Sequence, residues 1–161
     1  MGVDPGTHVV GWGVIELDGA RPRLVASGAI TARPRDPVPA KLAAVADGLA
    51  ELVRMHRPDA AAVEKAFFGK NATAALRIGE ARGAVLAELA RAGVPVEEVT
   101  PAEVKKAVTG TGAAHKRQVQ MMTAAILGLR EPETRLDVTD ALAAAICLAH
   151  RVGVAKDGRR R

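Results

Sequence analysis

The sequence predicts an α/β domain in which a mixed, five-stranded sheet carries helices on its faces. Strand-patterned runs joined by tight turns occupy the first 31 residues, strands then alternate with helical segments, and further helices crowd the C-terminal half. At 161 residues the chain can bury one core and is too short for two. No internal repeat or domain linker interrupts it.

Residues 2–4, 8–17 and 22–31 read as strands, punctuated by Gly6, by the hairpin signal Asp18-Gly19 and by Gly28. Only Met1, Gly2 and Val3 precede Asp4, so the first strand is shorter than the usual ~5–6 residues: either the recorded start is too late or the strand survives in shortened form, and if it frays Asp4 is poorly held. After the loop 33–39, Leu42, Val45, Leu49, Leu52 and Val53 follow helical spacing, and the helix ends near His56, before Pro58. Residues 60–67 form a short apolar strand, 72–92 a long helix and 94–100 another strand. Thr100-Pro101-Ala102-Glu103 is a capping box with proline at the first helical position, starting a helix that runs toward Gly110. Val119, Met122 and Ile126 mark a helix over 116–127, and Leu142, Ala145, Ile146 and Ala149 mark one over 138–151. The basic residues of 155–161 read as a solvated tail beyond a domain spanning 1–154.

Composition narrows the function. Hydrophobic residues make up 48% and no apolar run reaches the ~18–20 residues of a membrane span, so no membrane role is expected. The N-terminus has no basic stretch followed by an apolar one, and Cys147 has no second cysteine to pair with, which points to the cytoplasm. A net charge of +5 attracts polyanions, nucleic acid first among them.

Four carboxylates occupy positions that folding alone does not explain. Asp4 lies in a strand, where aspartate is disfavoured, and Glu64 follows Ala60, Ala61, Ala62 and Val63 in an apolar one, where its charge needs a cationic partner. If these two strands are adjacent and parallel, Asp4 and Glu64 converge. Asp137 and Asp140, three apart at a helix start, share a face and can close the cluster, although each alone could be an ordinary helix-start aspartate. Hard oxygen donors without thiolate suit Mg²⁺ or Mn²⁺, and two such ions can clamp the attacking and leaving oxygens of a phosphodiester. The expected chemistry is that of a metal-dependent nuclease.

Three segments carry a resemblance. Gly2-Val3-Asp4-Pro5-Gly6-Thr7, Val63-Glu64-Lys65-Ala66-Phe67-Phe68-Gly69-Lys70-Asn71 and Asp137-Val138-Thr139-Asp140-Ala141-Leu142-Ala143 resemble, in order and spacing, the acidic motifs of the RuvC family of Holliday-junction (crossover-junction) endodeoxyribonucleases. Gly79-Glu80-Ala81-Arg82-Gly83 and the lysine-flanked glycine stretch 104–116 also resemble that family, and the likeness covers residues 2–150.

The resemblance implies a ribonuclease-H-like fold, with Asp4, Glu64, Asp137 and Asp140 as catalytic metal ligands for two Mg²⁺ ions, Mn²⁺ able to substitute. It implies paired symmetric nicking of four-way junction DNA in homologous recombination and DNA repair, by a homodimer that works with a RuvA-RuvB branch-migration complex. Phe67 then resembles the aromatic that stacks on a base near the crossover. Lys70, Lys105, Lys106, His115, Lys116 and Arg117 are the expected DNA contacts, with Lys105 and Lys116 matching family positions best. Ala72, Ala75, Gly79, Gly83 and Ala87 form a small-residue stripe. Such a stripe ordinarily packs on its own sheet, whereas the resemblance assigns this helix to a two-fold dimer.

The first motif also resembles the phosphate-binding turn of sugar kinases and Hsp70-type ATPases, but those proteins need two such domains around a nucleotide. Another ribonuclease-H-fold nuclease and a non-catalytic junction-binding protein are the remaining alternatives.

Overall fold

Strand-forming residues near the N-terminus build an antiparallel unit of β1 (Gly2–Asp4), β2 (Val9–Asp18) and β3 (Arg21–Thr31), with Gly19 turning the hairpin at φ 62°. The structure, a computed structural model, describes residues 1–6, 8–65 and 72–158, apart from the side chains of 153–158. The remaining elements are α1 (Val38–His56), β4 (Ala61–Glu64), α2 (Ala72–Arg91), β5 (Val96–Val99), α3 (Pro101–Thr109), α4 (Lys116–Leu127) and α5 (Leu136–Gly158). β4 pairs in parallel with both β1 and β5, giving the sheet order β3-β2-β1-β4-β5. No helix among the described residues is long and apolar enough to cross a membrane.

The differences from the sequence expectation lie at element ends. β5 is shorter because Val94 donates its N–H to the Leu89 carbonyl at 2.9 Å, closing α2 around Gly93, while Thr100 is taken up in capping α3. The capping box is present, with the Thr100 N–H donating to Glu103 at 2.7 Å. α5 starts before Val138, since the Thr139 N–H already donates to the Arg135 carbonyl at 3.0 Å. Its backbone stays helical to Gly158, so 155–158 continue the helix where a tail was expected. The short β1 is central, paired on both sides, with Val3 fully buried and the Met1 ammonium donating to the Ala60 carbonyl at 2.9 Å.

The two faces of the sheet carry separate cores. Val3, Val10, Ala61 and Val63 pack with Val45, Leu49, Val85 and Leu89 of α1 and α2. On the other face Ala62 packs with Val138, Leu142 and Ile146 of α5, whose outer side is covered by Val104 and Val108 of α3 and Val119 and Leu127 of α4. Because α5 is covered on both sides, positions 141–149 are buried throughout and mostly alanine.

Three strand glycines set the depth of α5. A Cβ on Gly2 would overlap the Ala141 carbonyl, one on Gly11 would overlap the Asp137 carbonyl, and one on Gly13 would meet the Leu142 side chain. Gly2 pairs with Gly13 across β1 and β2, and Asp4 pairs with Gly11, so the first turn of α5 rests directly beside Asp4. Gly2→Ala and Gly11→Ala therefore meet fixed backbone and should each destabilise the fold by about 3 kcal/mol. Gly13→Ala meets the buried Leu142 side chain ahead of any backbone atom and should be somewhat milder, an order that chemical denaturation of the three variants will check.

Candidate active site

The register of β1 with β4 matches Gly2 to Ala62 and Val3 to Val63, so the next step along both strands brings Asp4 level with Glu64. Side chains alternate across a strand, and Gly2 and Ala62 both face α5, which puts Asp4 and Glu64 on that face. Asp137 lies in the first turn of α5 above Gly11, and Asp140 follows one turn later. Asp4, Glu64, Asp137 and Asp140 thus lie toward one edge of the sheet.

Their charges confirm the proximity. Burial, followed by repulsion from Asp140 and Asp137, pushes the Asp4 carboxyl up to about 6. Burial, then Asp4 and Asp140, pushes Glu64 up to about 7. Asp140 is also raised, mainly by burial. Lys116, at the start of α4, opposes all three shifts, and Lys105 of α3 opposes those of Glu64 and Asp140. Among the described residues neither lysine forms an ion pair with these acids, and no three histidine, cysteine, aspartate or glutamate side chains are grouped closely enough to hold a metal ion.

Asp137 differs from the others because it accepts a hydrogen bond from Arg135 at 3.0 Å. The sequence reading missed Arg135, since a partner two residues away across a helix start has no periodic signal. It also passed over Gly11 and Gly13, whose signal was available: glycine within a strand often marks a close backbone approach. Of the other expected DNA contacts, Lys106, His115 and Arg117 are exposed. Phe67 and Lys70 lie outside the described residues, as does Phe68. Trp12 packs with the α1 and α2 core beside His56, their rings 5.9 Å apart.

The family model described as Crossover junction endodeoxyribonuclease RuvC matches residues 1–148. The chain belongs to the RuvC family. A crossover junction endodeoxyribonuclease RuvC of Chloroflexus aggregans is 49% identical, covering 93% of this chain and 92% of the relative. One from Rubrobacter xylanophilus is 48% identical, covering 96% and 88%. The solved structure described as T. thermophilus RuvC in complex with Holliday junction substrate superposes with a TM-score of 0.90 at 35% identity, covering 96% of this chain and 94% of that one. The fold is the ribonuclease-H-like one that the sequence resemblance implied.

In this RuvC family member the site is electrostatically unfavourable without a cation. Unfolded, Asp4 and Glu64 titrate near 3.8 and 4.5, whereas folded they titrate near 6 and 7. The folded state therefore binds more protons between about pH 4 and 7, so their contribution to stability is full below that window and lost as pH rises through it. With divalent ions chelated, Asp4→Asn should stabilise the protein near pH 8 by about 1–3 kcal/mol and flatten the pH dependence of its melting temperature. A variant that melts lower at that pH would contradict this electrostatic account.

Proposed function

We propose that this chain is a structure-selective DNA endonuclease that resolves four-way junctions by paired, symmetric nicks in homologous recombination and DNA repair, with Asp4, Glu64, Asp137 and Asp140 as its catalytic ligands. The observation that carries the proposal is the gathering of these four acids at one sheet edge, opposite Lys105 and Lys116. The donor set is all oxygen, and its two most shifted members are partly buried acids whose charged forms need a positive partner, which fits hard divalent cations. Bound there, two Mg²⁺ ions, with Mn²⁺ able to substitute, would supply Lewis-acid charge at the scissile phosphate and a water deprotonated near neutral pH.

The chain's own groups do the remaining work. Asp4 and Glu64 hold their carboxylates at the ends of adjacent parallel strands, and the buried first turns of α5 fix Asp140 against them. Lys116 and Lys105 face the same acids and can meet the negative charge of the phosphate. Lys106 and Arg117 extend the cationic surface for flanking phosphates, exposed His115 lies beside them as a further hydrogen-bonding group, and Lys70 would add to the charge. Phe67 stacks on a base at the crossover in this reading, a sequence-tolerant contact suited to a branched substrate.

A four-way junction offers two equivalent strands, which a two-fold homodimer matches. Exposed Leu76, with exposed Gly79, Gly83 and Ala87 on the same side of α2, offers a surface for a second copy. A RuvA-RuvB branch-migration complex is the partner expected to deliver junctions, in the cytoplasm. Leu76→Glu should shift sedimentation toward the monomer; an unchanged dimer would place the interface elsewhere.

A labelled four-way junction with a short homologous core, incubated with Mg²⁺ or with chelator, tests the activity. Metal-dependent paired nicks that leave ligatable duplexes are expected. Asp4→Asn should keep junction binding while cleavage falls by roughly 10²-fold or more, the scale lost when one transition-state stabiliser is removed. Tight binding without cleavage in both Mg²⁺ and Mn²⁺ would favour a junction-binding protein instead.

A further inference from the structure

We infer that a second seat for the DNA backbone lies in the groove between the first turns of α1 and α2, where His8, Lys41 and Arg77 converge on the opposite face of the sheet from the carboxylates. The inference rests on the junction-nuclease reading above and says where another arm of that substrate is held.

The topology makes the two sites neighbours. β1, β3 and β4 run in the same direction and end at one edge, at Asp4, Thr31 and Glu64. The chain leaving that edge leads to His8, to α1 and to α2. Asp4 and Glu64 face α5, whereas Val3 and Val63 face α1 and α2, so the groove and the acids occupy opposite sides of the same edge. The groove has a volume of about 470 Å³, and its lining includes His8, Lys41, Leu42, Thr73, Arg77 and Glu80.

Its charge suits a polyanion. The Lys41 ammonium donates to the Pro34 carbonyl at 2.7 Å, which fixes the cation without neutralising it. Arg77 approaches Glu80 only to 4.0 Å, the outer limit of an ion pair, so Glu80 offsets part of the charge without enclosing the guanidinium. Neither α1 nor α2 has an acid in its first turn. The two cations, Lys41 and Arg77, come from separate helices, which suits successive phosphates better than a single small anion.

In this proposal a strand lying on the carboxylates leaves the crossover past this edge, and a neighbouring arm of the four-way junction departs on the other side. A linear duplex has no such arm. The groove should therefore add affinity for branched DNA in particular.

The test measures anisotropy of a fluorescent synthetic four-way junction and of a linear duplex of equal length, in chelator, across a salt series. For Lys41→Gln combined with Arg77→Gln, junction affinity should fall about tenfold and the salt slope by nearly two, each phosphate contact being worth about 0.9. Duplex affinity should change less than about twofold. If the double variant folds poorly, as its melting curve would reveal, the single variants supply the same comparison with about one unit of slope each. Unchanged junction affinity and slope, or an equal loss on duplex, would overturn the second seat. A wild-type protein with no preference for the junction would overturn the nuclease reading and the seat with it, whereas a preference that survives the substitutions removes the seat alone.

Discussion

The site depends on how closely α5 approaches the sheet. Gly2 and Gly11 expose bare backbone on β1 and β2, and the carbonyls of Ala141 and Asp137 occupy the space that side chains would fill. With larger residues there, α5 would be held further off and Asp137 and Asp140 would be carried away from Asp4. Packing supports this approach on the outer side, where α3 and α4 press the alanine-rich length of α5 inward. Arg151 adds to it by donating to Glu97 of β5 at 3.3 Å and to Glu103 of α3 at 2.8 Å, joining α5 to the element that carries Lys105.

The same closeness makes the acids repel. Desolvation raises the energy of each charged carboxylate, and each neighbouring acid raises it further. Lys116 and Lys105 relieve this only in part. Folding energy supplied by the apolar core on both faces thus holds together a group of charges that would otherwise disperse, and a dense cation is their natural complement. Storing unfavourable electrostatics at a site where an ion is needed is a common division of labour between core and active site.

Much of this was legible in the sequence because the signals were local or periodic. The capping box at Thr100 fixed the start of α3, the Asp18-Gly19 turn fixed the β2–β3 hairpin, and the apolar spacing of 42–53 fixed α1. Asp4 and Glu64 stood out because strands disfavour a buried carboxylate, whereas Asp137 and Asp140, at a helix start where aspartate is ordinary, stood out only through their spacing and the family resemblance. Less legible were effects produced by tertiary contact. Strand glycines at positions 2, 11 and 13 matter only because α5 lies over them, and the end of β5 depends on how α2 closes around Gly93. The small-residue stripe on α2 looked suited to packing on the sheet, yet Gly79 and Gly83 have nothing within 4 Å, because α2 buries Ala81, Val85 and Leu89 instead.

In the proposed reading, the glycine-set position of α5 forms the divalent-cation site. Titrating Mn²⁺ into the wild-type protein and into Gly11→Ala near pH 8, with free ion followed by its paramagnetic resonance, tests it most directly. The wild-type protein should take up Mn²⁺, and Gly11→Ala, at a temperature where melting shows it folded, should bind at least several-fold more weakly. Equal uptake by the two proteins, or none by the wild type at millimolar ion, would contradict it.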